Sequence, residues 1–170
     1  MACIHVILKE FYVDKETPYF TDYVKQYTNL PFLVVLEKDG DKYQMGRFVR
    51  ASDIEEYSKE ENADWKLIMT DKEGELHIPT GSIGFRWEKE PTGNWNLQLK
   101  NAVTKKEFDP LLTLLKNDEQ KATVSFSDFT DTFNINIGKT NGKGNKAKEI
   151  LREVPAKKIK TKDGKELLVT

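Results

Sequence analysis

The chain reads as α+β: two N-terminal helices, followed by a β-rich region of hairpins with short helices. Three observations lead there. Apolar residues fall at helical spacing before Leu30. Short apolar or alternating runs separated by glycine turn signals fill most of the rest. A charged fraction of 32% with an aromatic fraction of 11% marks a folded, water-facing chain, because a disordered one lacks the aromatics.

In chain order, Ile4, Ile7, Leu8 and Phe11 lie at helical spacing, which predicts a first helix with that face buried. Thr17-Pro18 is a start signal, Thr as N-cap and Pro at the first helical position. Tyr19, Phe20, Tyr23, Val24 and Tyr27 follow as an apolar stripe, and Leu30-Pro31 ends the helix because the residue before Pro is driven out of the α region. Phe32 to Leu36 is a buried strand, Asp39-Gly40 a hairpin turn, and Tyr43 to Val49 the returning strand. Ser52-Asp53-Ile54-Glu55 has the form of a capping box opening a short helix that ends at Asn62-Ala63-Asp64. Trp65 to Thr70 is strand-like, Lys72-Glu73-Gly74 turns, and Leu76 to Ile78 leads onward.

The stretch from His77 to Leu97 holds two of the three tryptophans, Trp87 and Trp95. Pro79-Thr80-Gly81-Ser82 and Pro91-Thr92-Gly93-Asn94 both read as turns. Ile83, Phe85 and Trp87 alternate with Gly84 and Arg86, placing three large apolar groups on one strand face; Trp95 and Leu97 continue the alternation. Residues Lys100 to Lys106 are polar, and Phe108 to Leu115 fits either a strand or a turn of helix. Thr123 to Phe126 and Phe133 to Ile137 alternate as strands, Gly138 to Lys148 reads as a mobile basic surface loop, and Pro155 to Thr170 forms two strands around Asp163-Gly164.

A length of 170 residues suffices for one sizeable domain with its own core. The formal net charge of -1 supplies no global field toward nucleic acid or an anionic membrane. A single cysteine, Cys3, excludes an internal disulfide framework and a cysteine-only metal site, and fits a reducing compartment. Neither a bilayer-spanning apolar run nor a convincing signal peptide is present, so the expectation is a cytosolic globular piece. Leu167-Leu168-Val169-Thr170 ends inside an apolar strand and the first residues start inside a helix pattern. Both ends are therefore expected to be boundaries within a longer protein, leaving the Ile4/Leu8 stripe and the Leu167–Val169 strand edge exposed to self-association.

Candidate sites are weighed against plainer roles. Gly138-Lys139-Thr140 matches the end of a phosphate-binding loop, but Phe133 stands where that motif needs its first glycine. Gly81-Ser82-Ile83-Gly84 approaches a nucleophile elbow, yet Thr80 occupies the position of the required Gly. His5 and His77, the two histidines, lack a His, Cys or carboxylate at i+3 or i+4 to make a ligand set, so both read as structural. Capping and turn roles suffice for Asp128 and Asp131, and Glu60-Glu61 is a solvated face. Residues 139–166 carry nine Lys and one Arg against three Glu and one Asp, without interleaved aromatics. That suits a solvated loop or a contact to an acidic protein surface better than nucleic acid. No nucleophile, base and oxyanion site assemble, so the residues predict no catalytic, cofactor-binding or metal-binding side chain.

Four patches, in order along nearly the whole chain, carry a family resemblance. They are His5 to Phe11 running into Tyr19 to Val34; Gly46 to Asp53; Pro79 to Trp87 with Asn94 to Leu97; and Pro155 to Ile159 with Asp163-Gly164 and Leu168 to Thr170. Only about 117–148 matches poorly. On these patches the chain resembles an internal part of the alpha subunits of respiratory nitrate reductases, within the DMSO-reductase type of molybdopterin oxidoreductases. The resemblance implies a parent holding a molybdenum bis(molybdopterin guanine dinucleotide) centre and one [4Fe-4S] cluster. It implies reduction of nitrate to nitrite by oxygen-atom transfer, in anaerobic respiration or nitrate assimilation, at the cytoplasmic side of the cell membrane. Electrons would come from quinol through a haem b gamma subunit and an iron–sulfur beta subunit. The family's cluster and molybdenum ligands lie upstream, so none is carried over. Residues 1–30 would continue a molybdopterin domain, and 31–170 would be a β-rich elaboration of it. This region would be scaffold, inactive alone, with the rest of the alpha subunit as its partner. The alternatives are a β-rich interaction module or a piece of a nitrite oxidoreductase alpha subunit running the reverse reaction.

Overall fold

A computed structural model describes residues 7, 9–15, 17–81, 97–115, 120–128 and 148–170, with the backbone alone at 127, 128 and 148. Expectations resting on Ile4, His5, Leu8, the aromatic strand Ile83–Trp87, Trp95, the turn at Pro91, the strand Phe133–Ile137 and the loop 138–147 lie outside these residues. So do Cys3 and Asp131.

Two helices open the chain, a π-helical turn Lys9–Asp14 and α1, Pro18–Tyr27. The wider turn sets Lys9 beside Asp14, five residues on, at 2.7 Å. It also changes which side chain faces inward: Tyr12 is buried, while Ile7 and Phe11, expected inside, are exposed. α1 starts as its sequence dictates, with extended Thr17 before Pro18 and the Thr17 carbonyl accepting from the Thr21 amide. It stops at Tyr27, ahead of Leu30-Pro31, because Thr28 turns extended and its hydroxyl takes the Val24 carbonyl at 2.7 Å. The apolar stripe is split. Val24 packs with Tyr12 and Leu112, and Phe20 lies against them, whereas Tyr19, Tyr23 and Tyr27 face water. Thr21 and Lys25 are buried instead. Each brings its own partner: Thr21 Oγ1 donates to the Pro18 carbonyl, and Lys25 pairs with Asp109.

The main sheet has six strands in the order β8-β7-β2-β1-β10-β9. Hairpin β1 (Val34–Asp39) and β2 (Lys42–Phe48) turns through Gly40, whose φ of 62° suits a residue without Cβ. Parallel pairing joins β2 to β7 (Lys121–Asp128) at Tyr43↔Val124, and β7 pairs antiparallel with β8 (Lys148–Pro155) along its full length. β9 (Lys157–Lys160) and β10 (Glu166–Val169) form the hairpin expected around Asp163-Gly164, and β10 returns to β1 at Val35↔Val169. The Leu167–Val169 segment is thus an interior strand rather than the exposed edge expected from the sequence.

Only Ala156 separates β8 from β9 although they stand at opposite ends of the strand order. One bent strand therefore serves both edges, and the sheet closes into a ring of five. Ala156 is buried at the bend, where its amide reaches the Gln120 carbonyl at 2.8 Å. Alternation along β1 and β10 sends side chains to two cores. Leu36 and Leu168 join Ala122, Val124 and Ala156 in one, while Val35 and Val169 join Val49, Ile54, Tyr57, Ile68 and Ile78 in the other. β8 was not foreseen: its Glu, Arg and Lys leave little alternation, and its outer face keeps Leu151 exposed.

The segment covering the second core is mostly short turns. Instead of a helix capped by Ser52, 3₁₀ turns run Ala51–Asp53 and Glu55–Tyr57. The carboxylate reaching back is Asp53, which accepts the Arg50 amide at 2.9 Å and the Arg47 guanidinium at 2.6 and 2.7 Å. Arg47 outcompetes the box predicted for Ser52 and Glu55 by engaging both Asp53 oxygens. β3 (Met69–Thr70) pairs with β4 (Leu76–His77) around the expected turn at Gly74. Pro79-Thr80 is not a turn but strand β5, paired with β6 (Gln98–Asn101); proline is tolerated because this two-stranded unit is all edge. Residues 108–115 are neither strand nor helix. Pro110 makes one bridge to Asp71, and Leu111, Leu112 and Leu114 are buried.

Candidate functional site

The richest polar cluster lies where β4, β6 and the second 3₁₀ turn converge. Asp71 closes the turn before β4: its Oδ1 accepts the Glu75 amide at 2.9 Å, which frees Oδ2 to take His77 Nε2 at 2.7 Å. The other imidazole nitrogen, Nδ1, faces Asn101 Nδ2 at 3.1 Å. Asn101 Nδ2 also reaches Tyr57 Oη at 3.2 Å, and Tyr57 Oη donates to the Leu76 carbonyl at 2.6 Å. Asn101 Oδ1 accepts two amides, from Val103 at 2.9 Å and Thr104 at 3.1 Å.

These contacts assign the donors and acceptors of the amide. An oxygen receiving two amides must be the carbonyl end of Asn101, so its NH2 donates once to Tyr57 and once to His77. His77 Nδ1 is therefore placed to accept from Asn101, and Nε2 to donate to Asp71. Phe108 covers one ring face, stacked at 4.3 Å and 13°. Burial pushes the Tyr57 phenol above its ordinary value; the Asn101 hydrogen bond opposes this, and Glu56 and Glu75 add to it.

A carboxylate-held imidazole invites comparison with a catalytic dyad, but a general base needs its second nitrogen free for substrate. Here Asn101 occupies it. The same count bars His77 as a metal ligand, since ligation would displace either Asp71 or Asn101. Among the described residues no three His, Cys, Asp or Glu side chains are placed to hold an ion. What the cluster does is tie β4, β6 and the Tyr57 turn together beneath the second core.

A second polar group borders the shallow cleft between α1 and residue 109. Lys25 meets one oxygen of Asp109, and Lys72 lies 3.8 Å from the other. Lys25 is buried under α1, so its ammonium fastens the helix to the 108–115 segment.

Of the sites considered from sequence, His77 is brought into a network and Asp128 closes β7 opposite Lys148. Glu60 lies within 4.0 Å of Lys66. Gly81 follows β5 with φ of 121°, a conformation that favours glycine. Asp71, Asn101 and Tyr57 were missed. Asp71 had a readable signal: it sits six residues before His77 across a turn centred on Gly74, a spacing that a hairpin closes and a helix does not. Asn101 and Tyr57 carried none. No helix of the described residues is long and apolar enough to cross a membrane.

Fold and site thus define an α+β unit with a ring-closed sheet, whose polar centre is spent on internal hydrogen bonds. By sequence it is homologous to the alpha chains of respiratory nitrate reductases. It is 37% identical over 175 aligned residues to respiratory nitrate reductase 1 alpha chain of Escherichia coli (strain K12), an alignment taking in 100% of this chain and 13% of that one. Identity is 36% to the nitrate reductase alpha chain of Bacillus subtilis (strain 168), over 100% of this chain and 12% of the relative. It reaches 47% over 104 residues with the nitrate reductase alpha subunit of Mycobacterium tuberculosis (strain ATCC 25618 / H37Rv), covering 61% of this chain and 8% of that subunit. The chain therefore spans about an eighth of the length of the first two relatives. No family model matches it.

Proposed function

We propose that the chain is a framework segment of a nitrate reductase alpha chain, supporting a catalytic centre built elsewhere in the polypeptide. The end-to-end alignment at 37% identity carries this reading. The enzyme so served would hold molybdenum bis(molybdopterin guanine dinucleotide) and a [4Fe-4S] cluster and would reduce nitrate to nitrite at the cytoplasmic side of the membrane. Quinol electrons would reach it through iron–sulfur beta and haem b gamma subunits. His77 and Asp71 do not fit as metal ligands: His77 has both nitrogens engaged, and Asp71 is committed to a turn amide and to that ring. No chemical step is therefore assigned to them. The described residues contribute rigidity, through a closed sheet and a saturated polar centre that hold a surface in fixed shape. Residues 1–30 would continue the cofactor domain and 31–170 would elaborate it.

The test is a chimera in which this chain replaces its aligned segment in the Escherichia coli respiratory nitrate reductase 1 alpha chain. The chimera should assemble, load molybdenum and reduce nitrate with a reduced viologen dye. The 170-residue chain alone should show no nitrate reduction when incubated with the cofactor and the same dye. Nitrate turnover by the free chain would overturn the framework reading.

A further inference from the structure

Among the described residues, the outward face of α1 is aromatic and uncovered. Tyr19, Tyr23 and Tyr27 recur every fourth residue, so they share one side of the helix, and they are 84%, 53% and 58% exposed. Tyr23 and Tyr27 already stack, with ring centroids 5.0 Å apart at 19°. Phe20 borders the stripe and touches half-exposed Phe11 at 5.8 Å. The opposite side holds the helix in place through Val24 and the Lys25–Asp109 pair. The tyrosines thus lie outside the core clusters formed by the described residues. Surface helices ordinarily turn charge outward. In α1 only Asp22 does so, since Lys25, its other charged residue, is buried.

We propose that this tyrosine face is a docking surface covered by polypeptide of the same alpha chain lying beyond these 170 residues. The proposal rests on the framework reading above and names the partner that reading requires. Two observations select this occupant over a second copy. The first is length: all of this chain aligns with 13% and 12% of two relatives, so most of a polypeptide of their length is available to pack against it. The second is area. Aromatic side chains offer 150–250 Å² each, so the three tyrosines at their exposures present roughly 300–500 Å². A stable complex between separate molecules buries about 800 Å² per partner. This face is too small to hold two free chains together, yet ample for intrachain packing, where the translational cost of association is absent. The stacked Tyr23–Tyr27 pair is pre-ordered, which reduces the rotamer freedom lost when it is covered, and phenol hydroxyls at the rim can remain hydrated.

The test compares the free chain with the chimera described above. Tetranitromethane should nitrate Tyr19, Tyr23 and Tyr27 in the free chain, and peptide mass analysis should show at least a fivefold lower yield at these three in the assembled chimera. Substituting all three with Lys should cut the recovery of protease-resistant chimera by at least fivefold. Substituting all three with Phe should preserve it. The free Lys variant should keep the thermal unfolding midpoint of the parent chain within about 3 °C, since these side chains are outside the core. Equal nitration in the two settings, or a Lys variant that assembles like the parent, overturns the proposal and leaves the framework reading intact. A free chain that dimerises, and loses its dimer on Lys substitution, assigns the face to a second copy and also overturns the proposal. If the unsubstituted chimera fails to assemble, the framework reading falls and this proposal with it.

Discussion

Asn101 shows how one side chain can decide a site's chemistry. Its two donors and its carbonyl are all engaged, and in being so they hold the His77 ring and the Tyr57 phenol in place. Asn101→Ala removes four hydrogen bonds at once, two of them made by its buried NH2 to Tyr57 and His77, and should cost about 2–4 kcal/mol. Tyr57→Phe keeps the ring and its packing but leaves the Leu76 carbonyl unpaired, and should cost about 1–2 kcal/mol. Urea midpoints with unchanged m values would check both; a variant as stable as the parent would mean the network is dispensable. Tyr57 also gives an alkaline signature. Its phenol is raised by burial, so the folded state holds that proton more tightly than the unfolded one. This contribution is complete below the ordinary phenol value of about 10 and is lost as pH rises through the higher folded value. Phenolate absorbance should show a late component that Tyr57→Phe removes. None of this was legible in the sequence beyond His77, because the three partners converge only through the register of β4, the turn before it and β6.

Among the elements, those governed by neighbouring residues were the ones sequence could place. Thr17-Pro18 starts α1, and Asp39-Gly40 and Asp163-Gly164 turn their hairpins, because each effect acts within a few residues. The elements misread were those where two local options compete. Ser52 and Glu55 satisfied the capping pattern, but Asp53 won through Arg47, which projects from β2. The Tyr/Val/Phe stripe of α1 was real, yet periodicity cannot say which part of a wide apolar arc meets the core. Asp53 supplies an acid-side prediction. Burial alone would raise its carboxyl, but the Arg47 hydrogen bonds, the Arg50 amide and the nearby positive charges outweigh that and hold it below the ordinary value. Stability from this group is therefore full above about pH 4 and is lost as pH falls through the lower folded value. Asp53→Asn should lower stability at pH 7 and flatten its decline below about pH 4. An acid denaturation curve with the parent's slope would contradict the assignment.

At the scale of the molecule, closure of the sheet depends on the bend at Ala156, which no sequence pattern announced. β8 and β9 are separated by one residue but pair with strands at opposite ends of the order, so only a ring can accommodate both. Loosening that corner should free the β7–β8 and β9–β10 pairings together, because each ends at it: Lys121 pairs with Pro155, and Val169 with Lys157. Ala156 is buried in the inner core beside Leu36, Ala122 and Val124, so Ala156→Leu forces extra volume into a filled space and should cost about 1–3 kcal/mol. Gly164→Ala offers a control of similar size. Its φ of 72° penalises a Cβ by about 1 kcal/mol, but the position meets nothing within 4 Å. Native-state hydrogen exchange separates the two. Ala156→Leu should speed exchange in β7 and β10 alike, as a single opening unit, whereas Gly164→Ala should speed it in β9 and β10 and leave β7 at the parent rate. If β7 stays protected when Ala156 is enlarged, the strands form an open sheet whose edges merely lie near each other. The rigid platform that the docking face of α1 requires would then have to come from the Lys25–Asp109 fastening rather than from ring closure.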